Sequence, residues 1–455
     1  MELSLEHFRS VLRSVPCPLR YWIAYSGGLD SHVLVHLCAH IQSAKRLPSS
    51  FLAVHIHHGL QPQADAWAGH CRRVCANLNI QFLEIRVDAR PQPGQSPEEA
   101  ARNARYRAFR SVMHKGDVLL TAQHQDDQAE TVLLQLMRGA GLAGIAAMPL
   151  QANFAPGLLL RPLLQYSRDS LRSYALAHRL DWVEDPSNRE LGYDRNFIRQ
   201  SVLPLLAGRW PGIGKVLGRT ASHCAEALQH LEDLAEELYQ ASVHTDGHTL
   251  RIDTLKTYKA ADQRLVLRYW LKHEGFRMPT AAILQRILNE VLSAGEDRTP
   301  LVSWSEGEIR RYRDQLFVMR PLPSPDNSQS MVWNGRDALD LPHGNGQLSV
   351  IRVTESKGIA QSRWDCAKIL VRYRQGGESC TLPGRHGTHS LKKLFQECGI
   401  PPWERNRMPL IILDGQLAAI GERWVCAPYA AAEGEPAVRV CWRRGEQTIG
   451  RIGSG

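Results

Sequence analysis

Apolar positions in the N-terminal part of the chain come in short continuous runs, separated by stretches with helical spacing. YWIAY (21–25) predicts a buried strand, followed by the loop SGGLDS and a helix over 32–40. FLAVHI (51–56) predicts a second strand, 64–79 a helix and IQFLEIRV (80–87) a third strand. Ser96-Pro97-Glu98-Glu99 has the form of a capping box with proline at the first helical position, opening a helix to about Met113. DVLLTAQ (117–123) predicts a fourth strand and 126–138 another helix. Strands alternating with helices predict an α/β domain over 1–215, a parallel sheet with helices on both faces.

The pattern then changes. Ala225, Leu228, Leu231, Leu234, Ala235 and Leu238 recur at helical spacing with acidic residues opposite, and 257–294 also reads as helical. We expect a mostly helical second domain over 216–320. The Pro- and Ser-rich stretch 321–332 reads as a linker. Residues 333–445 alternate short strands with glycine turns around one helix at 391–399, a small mixed α+β domain, and 446–455 reads as a flexible tail.

Composition adds limits. No run of about 18 apolar residues is present, so no membrane span is expected. The first residues lack a secretory pattern, which makes the cytoplasm the expected compartment. Ten cysteines form no CxxC pair, and Cys71 and Cys75, one helical turn apart, lack a second pair to complete a zinc set. Buried thiols are the simpler reading. Lys and Arg number 55 against 46 Asp and Glu, a net charge of +9 that leans towards polyanions. Residues 361–410 hold nine Lys/Arg and four Asp/Glu, so over half of the excess sits there. On charge alone, a nucleic-acid contact and a solvated basic face are equally good readings.

The most chemical segment is Ser26, Gly27, Gly28, Leu29, Asp30 and Ser31, between a strand and a helix. Two glycines let the backbone fold around an anion, and the helix N-terminus points amides at it. Ser26 and Ser31 can add hydroxyls. An aspartate repels phosphate unless it holds a cation, so Asp30 is read as a magnesium ligand. No GxxxxGK[ST] motif occurs, so this is not a Walker loop. At the end of the fourth strand, Asp127 and Glu130 stand three apart on one helical face. They can grip a metal or a cationic substrate, or simply favour the helix dipole. His55, His57 and His58 read as substrate-loop residues rather than metal ligands.

SGGLDS resembles the pyrophosphate-binding loop of the N-type ATP pyrophosphatases. With HIHHGL, EEAARNARYRAF, TAQHQDDQAETVLL, MRGAGLAGIAAM, DWVEDPSN and YDRNFIRQSVLPLL in this order, and VRYRQGGE (371–378) and LKKLFQECGIPPWERNRMPLI (391–411) later, the chain resembles the tRNA(Ile)-lysidine synthases. That resemblance implies a reaction using ATP and Mg2+. Oxygen 2 of the wobble cytidine in a CAU-anticodon isoleucine tRNA is adenylated, and the ε-amino group of free L-lysine then displaces AMP at carbon 2. It implies roles for Asp30 at the phosphates, Arg105 facing developing phosphate charge, and Asp127 and Glu130 orienting or deprotonating lysine. Arg195 and Arg199, four apart, are expected to meet tRNA phosphate from one helical face, as are Arg372, Arg374, Lys392 and Lys393 in the C-terminal domain. For each arginine a solvated surface charge is the plain alternative. The rival functions are a tRNA-thiolating enzyme of the same superfamily, which would normally show catalytic or cluster cysteines, and a non-catalytic tRNA-binding protein.

Overall fold

A computed structural model describes residues 3–16, 18–44, 49–59, 63–91, 97–186, 190, 192–295, 298–321, 323, 325–354 and 358–445. Ser96, the first residue of the expected capping box, and the expected tail 446–455 lie outside these. Two compact units divide the chain, residues 1–230 and 231–455, and the division falls inside the helix Ile213–Ser242.

In the first unit the apolar runs become strands β1 (Arg20–Ala24), β2 (Ser50–His57), β3 (Gln81–Arg86) and β4 (Val118–Leu120). A hairpin of β5 (Gln151–Phe154) and β6 (Gly157–Leu160), which the periodicity does not announce, completes a six-stranded sheet of order β3-β2-β1-β4-β6-β5. All strands run parallel except β5 at the edge. Helices α1 (Leu5–Arg13), α2 (Leu29–Ser43), α3 (Ala64–Asn77), α4 (Pro97–Val112) and α5 (Gln125–Met137) connect and cover it. The period of two along β1 divides the core. Tyr21 and Ile23 pack on one face with Val33, Leu34 and Leu37 of α2, while Trp22 packs on the other with Phe109 of α4 and Leu119. Because β1 lies between β2 and β4, the order reverses beside it. The carboxyl ends of β1 and β4 therefore flank the crevice in which open α/β sheets bind ligands.

The second unit opens with helices Ile252–Thr257, Ala260–His273 and Ala281–Arg286, as expected for a helical region. It also contains a four-stranded antiparallel sheet made of Leu250–Arg251, Gln315–Met319, Glu308–Tyr312 and Leu301–Ser303. The remainder builds a five-stranded and a four-stranded antiparallel sheet around the helix Leu391–Glu397. One edge strand, Ser330–Trp333, begins inside the stretch read as linker and pairs with Ile369–Arg372. Trp403 packs edge-on against Phe317 (5.3 Å between ring centres), and Arg405 donates to the Tyr312 hydroxyl (3.1 Å). These contacts join the two parts of this unit.

Candidate active site

The loop after β1 is held by its own side chains. Ser31 Oγ accepts the Ser26 amide (3.2 Å), lies 3.0 Å from Ser26 Oγ, and donates to the Gly28 carbonyl (3.0 Å). Both hydroxyls expected at the phosphates thus brace the loop. Gly27 sits at φ +88°, where a Cβ would meet Cys71 Sγ at 3.0 Å, so both the conformation and the space call for glycine. The first intrahelical bond of α2 runs from His32 N–H to the Gly28 carbonyl (2.9 Å). The amides of Leu29, Asp30 and Ser31 precede it and have no acceptor within the helix, which is the anion-binding arrangement.

Asp30, in the first turn of α2, has one carboxylate oxygen, Oδ1, buried without a partner. Its Oδ2 lies 3.6 Å from Nε2 of His124, a buried residue at the end of the neighbouring β4 segment. His124 also stands 3.4 Å from Asp127 and 3.6 Å from Asp126. Burial works against an imidazolium here, but Asp127, Asp126 and Asp30 outweigh it and push the pKa up to about 10. As an imidazolium, His124 donates from both nitrogens, so the 3.5 Å approach of the Asp127 amide to Nδ1 is a contact rather than a hydrogen bond. A folded-state value above the unfolded 6.5 stabilises the protein fully below about pH 6.5, and the gain is lost as pH rises through about 10. In metal-free buffer the melting-temperature advantage over His124→Gln should therefore shrink between pH 6.5 and 10. An advantage that stays constant across that window would show that His124 is neutral.

Asp127 and Glu130 share one face of α5, as their spacing predicts. They do not stand alone. Arg195 Nε donates to Glu130 Oε2 (2.7 Å) and its Nη2 to Asp127 Oδ1 (3.1 Å). Arg199 Nε donates to Glu130 Oε1 (2.6 Å), with Nη2 reaching Glu130 Oε2 (3.0 Å) and Asp127 Oδ1 (3.2 Å). The two arginines expected at tRNA phosphate carry these carboxylates: both guanidiniums turn towards α5. The cause is electrostatic. Glu130 is fully buried beside a second carboxylate, and two adjacent buried anions require cations. Burial alone would lower the arginine pKa values, but Asp127 and Glu130 raise them. Burial likewise opposes the drop at Asp127 that His124 and Arg195 produce. The arginines come from the turn Asp194–Phe197 and the wide π-type turn Ile198–Val202 that continues it, an irregularity common at functional sites. Asp126 plays a structural part, accepting the Arg168 amide (2.7 Å) at the start of the helix Arg168–Ala177.

Across β1, the three histidines at the end of β2 and just after it take separate partners. His55 Nδ1 lies 2.9 Å from the Tyr25 carbonyl, to which its N–H donates, and so pins the root of the loop. His57 faces Asp65 at 3.2 Å. His58 Nε2 lies 3.4 Å from Arg105 Nη2. Burial first, and then the charge of Arg105, push His58 down to about 4, so Nε2 accepts from the guanidinium.

A tRNA(Ile)-lysidine synthase of Methylococcus capsulatus is 44% identical over 97% of this chain and 100% of its own length. This chain belongs to the tRNA(Ile)-lysidine synthase family. Proteins of that name from Coxiella burnetii (43% identical, 90% of each chain) and Alkalilimnicola ehrlichii (44%, 91% of this chain and 92% of the other) are similarly close. Residues 7–206 match a PP-loop domain, 250–317 the TilS substrate binding domain and 369–442 the TilS substrate C-terminal domain. As a member of the family the chain is an ATP-using ligase that forms a carbon–nitrogen bond. No helix among the described residues is long and apolar enough to cross a membrane.

In the C-terminal part of this lysidine synthase family member, most of the basic excess is internally committed. Arg372 and Arg374 both face Glu378, at 2.9 and 3.7 Å, and each is under a quarter exposed. Glu378 also accepts the amides of Gln375 and Gly376, so this cluster orders a turn around the two arginines expected at phosphate. Arg407 is buried against Asn345 and the His343 carbonyl. Tyr373 and Phe395 are core residues. Lys392 and Lys393, on the first turn of the helix Leu391–Glu397, are exposed.

Proposed function

We propose that this chain adenylates oxygen 2 of the wobble cytidine in CAU-anticodon isoleucine tRNA and then joins the ε-amino group of lysine to carbon 2, releasing pyrophosphate and AMP. One observation carries this reading. Through His124, the phosphate loop and the Asp127–Glu130–Arg195–Arg199 quartet meet at adjoining strand ends. Adenylation converts a poor leaving oxygen into a good one, and a charged-residue site for the nucleophile must lie beside the nucleotide. The unpartnered Oδ1 of Asp30 fits a magnesium ion. When bound, that ion would offset phosphate charge. The amides at the start of α2 hold phosphate oxygens, and Arg105, beside His58 just after β2, supplies a cation for developing phosphate charge.

The quartet suits a zwitterionic amino acid. It offers two carboxylates and two guanidiniums that can exchange partners with an α-ammonium and an α-carboxylate. Asp127, whose acidity is enhanced by its cationic neighbours, is a weak base and a good anchor. Its part is to orient the amine rather than to take its proton. Incubation with ATP, lysine and CAU-anticodon tRNA, followed by nucleoside mass analysis, tests the reaction. Absence of lysidine with active, folded protein would overturn it, and sulfur incorporation would favour a thiolation chemistry.

For tRNA binding, the exposed pair Lys392 and Lys393 takes the place of the committed arginines. Charge reversal of both should weaken tRNA binding several-fold at moderate salt and reduce the slope of log affinity against log salt by up to about 2. Unchanged affinity and slope in a filter-binding titration would remove this surface from the interface.

A further inference from the structure

Away from the crevice, three histidines come together between two helices. His36 and His40 are four apart on α2, and His178 caps the end of the helix Arg168–Ala177. One side-chain nitrogen from each lies within 4.8 Å of the others. We propose that His36, His40 and His178 form a binding site for a divalent transition-metal cation of the zinc type, separate from the nucleotide site.

Two histidines at i and i+4 present their nitrogens from one helical face, and a third from a facing element makes a three-nitrogen set with an open fourth position. At zinc–nitrogen distances near 2.0–2.1 Å, ligand nitrogens stand about 3.4 Å apart in a tetrahedral site. Small rotations at His40 and His178, both exposed, bring the set to that spacing. His36 is the fixed member. It is buried, and its Nδ1 lies 3.0 Å from the Tyr174 hydroxyl. In the tautomer that donates Nδ1–H to that oxygen, Nε2 keeps a free lone pair, and such an outer hydrogen bond is what normally orients a metal-bound imidazole. No carboxylate belongs to the set, which disfavours magnesium and calcium and suits zinc, nickel or copper. The alternative is a purely aromatic cluster, since the Tyr174 and His178 rings also meet at a tilt with centres 4.2 Å apart. The metal would brace α2, whose first turn carries Asp30, against the helix whose first amide bonds Asp126.

The test uses the tag-free full chain, titrated with Zn2+ against a competing chelator and with Co2+ in the visible range. One equivalent should bind, with the absorption of a four-coordinate cobalt site and a raised melting temperature. His40→Gln and His178→Gln, both at exposed positions, should each fold normally and weaken binding by at least about 100-fold, no less than the loss of an outer partner costs elsewhere. Tyr174→Phe should weaken it about tenfold. Failure of the wild-type chain to bind, or binding unaltered in both histidine variants, would overturn the site.

Discussion

Asp30→Asn is expected to lower adenylation by on the order of 10²-fold or more, with folding and tRNA binding nearly intact. The substitution keeps the shape of the side chain, which is about one-third exposed, and leaves the loop bonds among Ser26, Gly28 and Ser31 untouched. What it removes is a negative charge beside a nest of amides suited to phosphate. The sign of the effect discriminates. If Asp30 held no cation, removing its charge would relieve repulsion, and ATP would bind more tightly. If its unpartnered oxygen holds magnesium, ATP binding and turnover both fall, and added magnesium restores them only in part. Tighter ATP binding with normal pyrophosphate release would end this assignment.

Glu130→Gln should be the most damaging conservative change in the first unit. Glu130 accepts three bonds from two arginines and has no access to water. Neutralising it leaves Arg195 and Arg199 sharing Asp127. Breaking one partner of a buried ion-pair set costs about 3–5 kcal/mol, and for a unit of this size that corresponds to a fall in melting temperature of roughly 10 °C. Lysine transfer should be lost even at temperatures where the variant is fully folded, because Arg195 and Arg199 no longer hold their positions. A variant that melts normally would show that the network contributes little to stability. A folded variant with an unchanged lysine requirement would separate the network from lysine binding.

Local features of the site were legible in the sequence, whereas its long-range partners were not. A glycine pair between a strand and a helix has few other uses, and Asp127 and Glu130 share a face by spacing alone. The arginines that neutralise them lie 65 to 72 residues further along. An i, i+4 arginine pair reads equally well as solvated or as phosphate-binding, and only tertiary contact decides. His124 was hidden for the same reason, since one of its three carboxylates comes from α2. In the second unit the antiparallel sheet escaped notice because its strands break the binary pattern. Glu308 and Arg311 point inward, Glu308 paired with Arg310 and Arg311 bonded to the Arg313 and Ala294 carbonyls. Buried charges of this kind look like loop residues in a sequence. The basic C-terminal stretch conceals its partners in the same way. Its charge excess is real, but Glu378 takes up two arginines and carbonyls take up others.

The contact of Trp403 with Phe317, with Arg310 lying 5.3 Å over the same indole, bears on how the second unit melts. Residues 250–317 and 369–442 match separate family domains, yet they share an apolar seam and the Arg405–Tyr312 bond. Neither part can lose its structure without exposing an aromatic surface on the other. The pair is therefore expected to melt in one cooperative calorimetric transition rather than two, and a cut near residue 333 to strip a surface bare; two resolved transitions would show the seam to be weak.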